Sequence, residues 1–124
     1  MTTTKLAKLA IDAALDRKAK RLVLLDVKDH SNQCDLVFIC SGDNNKQTQA
    51  IADSIVQRLK KDFDTPPFKT EGEKTGNWIL LDYGEFTVHV FFDYLRDYYA
   101  LEGLWPEANF LDIKEYTADA PQSR

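Results

Sequence analysis

The side chains best suited to chemistry in this 124-residue chain are single carboxylates near strand ends and one histidine within an apolar run. Asp82 and His89 would supply a carboxylate and an imidazole for acid–base work. The predicted hairpin register, however, separates the two by two cross-strand positions. No serine or cysteine nucleophile stands at a definable spacing from a base. These residues therefore predict no catalytic site.

A Ser-Gly pair, Ser41-Gly42, stands between an apolar run and a helical pattern. Backbone N–H groups in such a position can hold a phosphate. Neither glycine-rich phosphate-binding pattern is present, neither Gly-x-x-x-x-Gly-Lys-Ser/Thr nor Gly-x-Gly-x-x-Gly. With Asp43 and Asn44 beside the pair, a turn and helix cap is the favoured interpretation. No cofactor is predicted.

The two cysteines bracket a predicted strand at Cys34 and Cys40. Six strand residues place them about 20 Å apart, well beyond the roughly 7 Å that a disulfide tolerates. We expect two reduced, buried or half-buried thiols. Because the two histidines are far apart in sequence, no structural zinc site is predicted.

The net charge of −4 excludes a bulk positive field for nucleic acid and suits a basic protein partner. No sequence-specific nucleic-acid contact is predicted. No apolar run reaches the roughly 18 residues of a membrane span, and no signal-peptide pattern opens the chain. We therefore expect a cytoplasmic protein without a membrane contact.

A hairpin between residues 78 and 92 must position the candidate residues. Two apolar runs flank a polar break that contains a glycine, which predicts a turn at Tyr83 and Gly84. In that register Trp78 faces His89. One face of the hairpin would then carry Trp78, Leu80, Asp82, Glu85, Thr87, His89 and Phe91. The other face is apolar and predicted to be core: Ile79, Leu81, Phe86, Val88, Val90 and Phe92.

Periodicity around this hairpin predicts a single α+β domain, a mixed β-sheet with flanking helices. Helices are predicted at 4–19, at 46–61 and from Asp93 as cap to Glu102, with Gly103 ending the last one. Strands are predicted at 22–27, 35–40 and 68–71 in addition to the hairpin. The domain would span residues 1–110, followed by a weakly patterned C-terminal tail, 111–124.

An ordered set of residues carries a family resemblance. The set comprises Glu71-Gly72, Trp78-Ile79, Leu81-Asp82, Gly84-Glu85, Val88-His89-Val90-Phe91, Arg96, Tyr98-Tyr99, Leu101-Glu102 and Leu104-Trp105. It resembles the ribosome silencing factor, or iojap-like, family over residues 5 to 108. The resemblance implies a small adaptor with a nucleotidyltransferase-like topology. It also implies docking on large-subunit ribosomal protein number fourteen, which blocks subunit joining and represses translation when nutrients are short.

The implied fold raises an enzymatic alternative, metal-dependent nucleotidyl transfer. That reaction needs clustered carboxylates on Mg²⁺, usually Asp-x-Asp after a Gly-Ser turn. No Asp-x-Asp in the chain follows a Gly-Ser turn, and Asp26, Asp35 and Asp82 stand singly. We therefore predict a binding protein rather than an enzyme.

As a binding module, the chain would use the mixed face of the hairpin, where aromatic area and rim charges occur together. The predicted partner-binding residues are Trp78, Leu80, Asp82, Glu85, Thr87, His89 and Tyr99. The alternative is that the C-terminal helix simply covers Trp78. Tyr98 is predicted to be core, while Tyr99 and Trp105 suit either core or partner surface. An exposed tryptophan patch would also permit a weak homodimer.

Overall fold

The computed structural model describes residues 2–28, 34–100 and 109–117 and arranges them around one six-stranded sheet. The helices are α1 (Thr2–Asp16), α2 (Asn45–Phe63), α3 (Asp93–Tyr99) and a short 3-10 helix (Ile113–Tyr116). The strands are β1 (Lys20–Asp26), β2 (Leu36–Gly42), β3 (Lys69–Glu71), β4 (Trp78–Asp82), β5 (Phe86–Phe92) and β6 (Asn109–Leu111). The predicted α+β class, a mixed sheet with flanking helices, is confirmed. No helix within the described ranges combines the length and apolar character of a bilayer span.

The sheet order is β3-β4-β5-β2-β1-β6, with β2 and β5 parallel and every other pair antiparallel. Strands β2 and β5 lie at the centre, which agrees with their long apolar runs. Every residue of β2 is buried. The predicted antiparallel connection between β1 and β2 is also confirmed.

Helices α1 and α2 pack on one face of the sheet and form the main core. Alanines at 7, 10, 13 and 14 of α1 are fully buried, which lets the two helices approach closely. A second cluster lies on the opposite face and comprises Leu25, Val27, Cys34, Val37, Ile39 and Phe91. Both cysteines are buried and neither forms a disulfide, as predicted.

The predicted hairpin register is wrong by two residues. Trp78 pairs with Phe91, and Asp82 pairs with Thr87. The turn lies one residue later than predicted, at Gly84 and Glu85, since the Tyr83 N–H donates to the Phe86 carbonyl (2.8 Å). The Asp82 carboxylate accepts a bond from the Gly84 N–H (2.8 Å), and Gly84 adopts a φ of +86°. A shift of two keeps every strand residue on its predicted face, since side chains alternate with a period of two.

Helix α3 is shorter than predicted. It ends at Tyr99, where Ala100 takes the left-handed conformation (φ +47°) and its N–H bonds to the Arg96 carbonyl. Asp93 is the first helical residue rather than the cap, and the cap position, Phe92, makes no side-chain cap bond. The predicted continuation through Leu101 and Glu102 to Gly103, and Trp105, lie outside the described residues.

The chain after α3 adds a strand that the sequence suggested only weakly. Residues 109–111 pair antiparallel with β1, and Leu111, Ile113 and Tyr116 pack against the core. The boundary predicted at residue 110 falls inside this strand. The division into residues 1–110 and 111–124 stays a prediction, and residues 118–124 lie outside the described ranges.

Candidate protein-binding surface

The hairpin face that points away from α1 and α2 brings together five of the predicted residues: Trp78, Leu80, Asp82, Thr87 and His89. The sixth, Glu85, lies elsewhere. It sits in the loop, and its carboxylate accepts a bond from the Thr3 hydroxyl at the start of α1 (3.2 Å). Its predicted place on this face rested on a turn at Tyr83 and Gly84 and is therefore corrected.

Trp78 is half-buried and lies at the centre of an aromatic group. Its ring centroid lies 4.8 Å from that of Tyr99, 5.0 Å from Phe91 and 6.0 Å from His89. Its indole N–H donates to His89 Nδ1 at 3.0 Å. Trp78 is thus oriented by neighbours on two elements while part of it remains accessible. The alternative that the C-terminal helix covers Trp78 holds in part, and the role of Trp78 as a partner contact stays a prediction.

His89 is only 9% exposed, because it stands on a central strand between Leu80 and Ile39. Burial lowers its pKa to about 4 against a smaller opposing effect of the Asp82 carboxylate. The imidazole is therefore neutral at pH 7, and the bond accepted at Nδ1 leaves its proton on Nε2. His89 therefore orients the indole of Trp78 through this hydrogen bond, and its own side chain contributes little to the exposed surface.

Tyr99 reaches this face from α3, in which Arg96 is the buried residue. The predicted stripe through Leu95 and Tyr98 is wrong, since Tyr98 is 82% exposed. Tyr99 is 41% exposed and packs on both Trp78 and Phe91. Arg96 lies three positions before Tyr99 on the same side of α3. Because arginine is rarely buried unless it is paired, the sequence did not indicate this packing.

Arg96 anchors α3 and is the residue that sequence reasoning missed. It is 1% exposed, and its Nη1 donates to the Arg21 carbonyl (2.5 Å) and to the Ser41 hydroxyl (2.8 Å). In return, the Arg21 guanidinium bonds to Asp93 and Asp97 of α3, each at 2.8 Å. These reciprocal bonds hold α3, and with it Tyr99, in place over Trp78.

The residues considered for catalysis or phosphate binding form structural hydrogen bonds. Ser41 is buried and bonded to Arg96, and Asn44 caps α2 by accepting from the Gln47 N–H at 2.8 Å. The cap interpretation of the Ser41-Gly42 segment is thereby confirmed. Asp82 holds the hairpin loop. Across the described part of the chain, no three His, Cys, Asp or Glu side chains are grouped as a metal site.

Replacing His89 by asparagine tests the buried imidazole. In the wild type, the unfolded chain takes up a proton near pH 6.5 while the folded protein stays neutral down to about pH 4. The free energy of unfolding should therefore decrease as the pH is lowered from 6.5 to 4, by up to about 3 kcal/mol. The amide oxygen of His89→Asn can still accept the indole bond but cannot titrate. Urea unfolding at pH 7 and pH 4.5 should show a smaller loss for the variant, and equal losses would contradict the assignment.

Comparisons with known proteins agree on one family. A family model described as "Ribosomal silencing factor during starvation" matches residues 1–124. The Ribosomal silencing factor RsfS of Chromobacterium violaceum is 35% identical over 105 residues, 85% of each chain. A crystal structure of a protein from the same organism has a TM-score of 0.81 at 35% identity, covering 86% of this chain and 88% of that one.

A more distant relative comes from Mus musculus and is named "Mitochondrial assembly of ribosomal large subunit protein 1". It is 27% identical over 96 residues, which cover 76% of this chain and 42% of that protein.

Proposed function

This chain belongs to the ribosomal silencing factor family, and on that premise we propose that it binds the large ribosomal subunit and blocks association with the small one. The contact would be large-subunit ribosomal protein number fourteen, and the consequence would be repression of translation under nutrient limitation. This activity is regulatory rather than enzymatic and takes place in the cytoplasm.

The observation that carries the proposal is the composite surface of Trp78, Leu80 and Tyr99. It joins two elements, the hairpin and α3, and presents partly exposed aromatic area on a rigid sheet. Such area, ringed by polar groups, is typical of protein–protein hot spots. His89 and Arg96 fix the orientation of the two rings, so little conformational entropy is lost on binding.

The charge of the protein supports a basic partner. The net charge is −4, and the surface is flanked by the carboxylates of Glu71 and Asp82. Ribosomal proteins are generally basic, so association would be steered electrostatically and weakened by salt. The name of the mouse relative refers to the large subunit and supports the choice of subunit.

Sedimentation tests this proposal. The purified protein, mixed with isolated large subunits, isolated small subunits or assembled ribosomes, should sediment with the large subunits alone and without added nucleotide. Large subunits incubated with it should then fail to join small subunits, as followed by light scattering. Equal binding to assembled ribosomes, or a requirement for ATP, would refute the proposal. Self-association through the same surface would appear as a dimer in analytical ultracentrifugation of the protein alone.

A further inference from the structure

A groove lies beside Trp78 where β3 meets β4. It is lined by Glu71, Gly72, Trp78 and Leu80 and encloses about 330 Å³. Glu71 is the strand partner of Leu80, so their side chains stand on the same face of the sheet. One wall of the groove is thus a carboxylate, while the other is an indole with an aliphatic neighbour.

We propose that this groove binds an arginine side chain of the protein partner. The Glu71 carboxylate would pair with the guanidinium, while the indole of Trp78 would lie against its planar face. The inference deepens the proposed function, because the arginine would be presented by the basic ribosomal partner. It adds Glu71 and Gly72 to the surface and assigns them a ligand.

The charges around the groove favour a cation. The carboxylates of Glu71 and Asp82 lie on this side of the sheet. The buried imidazole of His89, the strand partner of Leu80, is neutral. Lys69 pairs with Glu71 at 3.2 Å, but both side chains are more than half exposed. An exposed pair of this kind is worth less than about 1 kcal/mol, so an incoming guanidinium can displace it.

The shape of the groove favours arginine over lysine. A guanidinium is planar, stacks on an aromatic face and forms two parallel bonds with a carboxylate, whereas an ammonium is a compact point charge. Cation–π contact with tryptophan adds about 0.5–1 kcal/mol at an exposed site. A groove with a flat indole wall and a carboxylate beside it matches the first geometry.

The groove is preorganised by its backbone. Gly72 has a φ of +81°, and a Cβ there would lie 2.0 Å from the Trp78 carbonyl oxygen, so only glycine permits this approach. The following loop is held by the first turns of α2. Asn45 donates to the Thr75 carbonyl (2.5 Å), and Thr48 donates to the Gly76 carbonyl (2.6 Å).

A titration of the ¹⁵N-labelled protein with N-acetyl-arginine amide tests the groove directly, with N-acetyl-citrulline amide as the uncharged analogue. The indole signal of Trp78, distinguished from that of Trp105 with a Trp105→Phe variant, and the Gly72 amide should shift saturably with arginine only. Glu71→Gln should weaken binding about twofold to fivefold. Glu73→Gln is the matched control on the neighbouring loop and should leave the affinity for N-acetyl-arginine amide unchanged. Lys69→Gln should tighten binding about twofold to threefold, since it frees Glu71.

Equal shifts with citrulline, or unchanged binding by Glu71→Gln, would overturn the proposal. Because Glu71 is exposed, the variant should unfold at the wild-type urea concentration, which checks that its fold is intact. Sedimentation with large subunits separates the two proposals. If the protein binds acetyl-arginine amide but no large subunits, the proposed function fails and the groove stands. If Glu71→Gln sediments with large subunits as well as the wild type does, the arginine groove fails and the proposed function stands.

Discussion

Replacing Arg96 by methionine should destabilise the protein by about 2–4 kcal/mol, because two hydrogen-bond acceptors lose their common donor. Methionine fills part of the volume but leaves the Arg21 carbonyl and the buried Ser41 hydroxyl without the Nη1 donor. A buried polar group deprived of its partner costs about 1–3 kcal/mol. The side chain is 1% exposed, so water does not replace the lost bonds.

An apolar replacement of a buried ion can be neutral when its partners are replaced as well. Here the partners remain, so the unfavourable outcome should prevail. Arg96→Lys keeps the charge on a shorter side chain and should lie between the wild type and methionine. Asp97→Asn, which removes an 83% exposed carboxylate from the Arg21 pair, should cost less than about 1 kcal/mol.

Urea unfolding of these variants measures the expected order of stability. A second measurement separates anchoring from general destabilisation. Tyr99 packs on Trp78, so a displaced α3 should alter the fluorescence of Trp78 in the folded Arg96→Met protein, most clearly in a Trp105→Phe background. Wild-type stability, or an unchanged emission spectrum, would show that Arg96 does not hold α3 on the sheet.

Sequence periodicity predicted the central elements because their signals are long. The apolar runs of β1 and β2 and the stripe of α2 each extend over six or more residues, so local errors average out. Face assignment in the hairpin also succeeded although the register failed. Alternation fixes the face with a period of two, whereas the register depends on the position of the turn, which lies one residue later than the glycine signal indicated.

The missed features depend on contacts between residues distant in sequence. Burial of Arg96 requires the Arg21 carbonyl and Ser41, 75 and 55 positions away, and no helical pattern can indicate them. Strand β6 has three residues, and its pairing with β1 is visible only in the fold. His89 was assigned to the binding surface because histidine is polar. Its burial depends on the neighbouring strands β2 and β4, which the sequence pattern alone does not place beside it. The sequence thus located the candidate surface, and the structure divided it into exposed groups and supporting groups.

Trp78→Ala should have the largest effect on partner binding, a loss of about 2–4 kcal/mol, or thirtyfold or more in affinity. The indole is the centre of the aromatic group and contacts both Tyr99 and Phe91. Its removal eliminates one wall of the groove and leaves Tyr99 with Phe91 as its remaining ring contact on the hairpin. Titration with isolated ribosomal protein fourteen, or sedimentation with large subunits, measures the loss.

The same variant should also lose stability, but less than a fully buried tryptophan would. Complete burial predicts about 3–5 kcal/mol, and because Trp78 is half-buried we expect about 1–3 kcal/mol. Trp78→Phe is the matched control. It keeps a ring against Tyr99 but removes the donor to His89 Nδ1, so it should retain much of the binding and lose part of the stability.

The two effects of Trp78→Ala are separable by magnitude. A domain stable by about 5 kcal/mol that loses about 3 kcal/mol still leaves only about 3% of the molecules unfolded. Unfolding of that size lowers the apparent affinity by a few per cent, whereas removal of a binding anchor lowers it thirtyfold. A folded Trp78→Ala protein that binds with wild-type affinity would therefore exclude this surface. The exposed side of α3, with Tyr94 and Tyr98, would then be the next surface to test by the same two measurements.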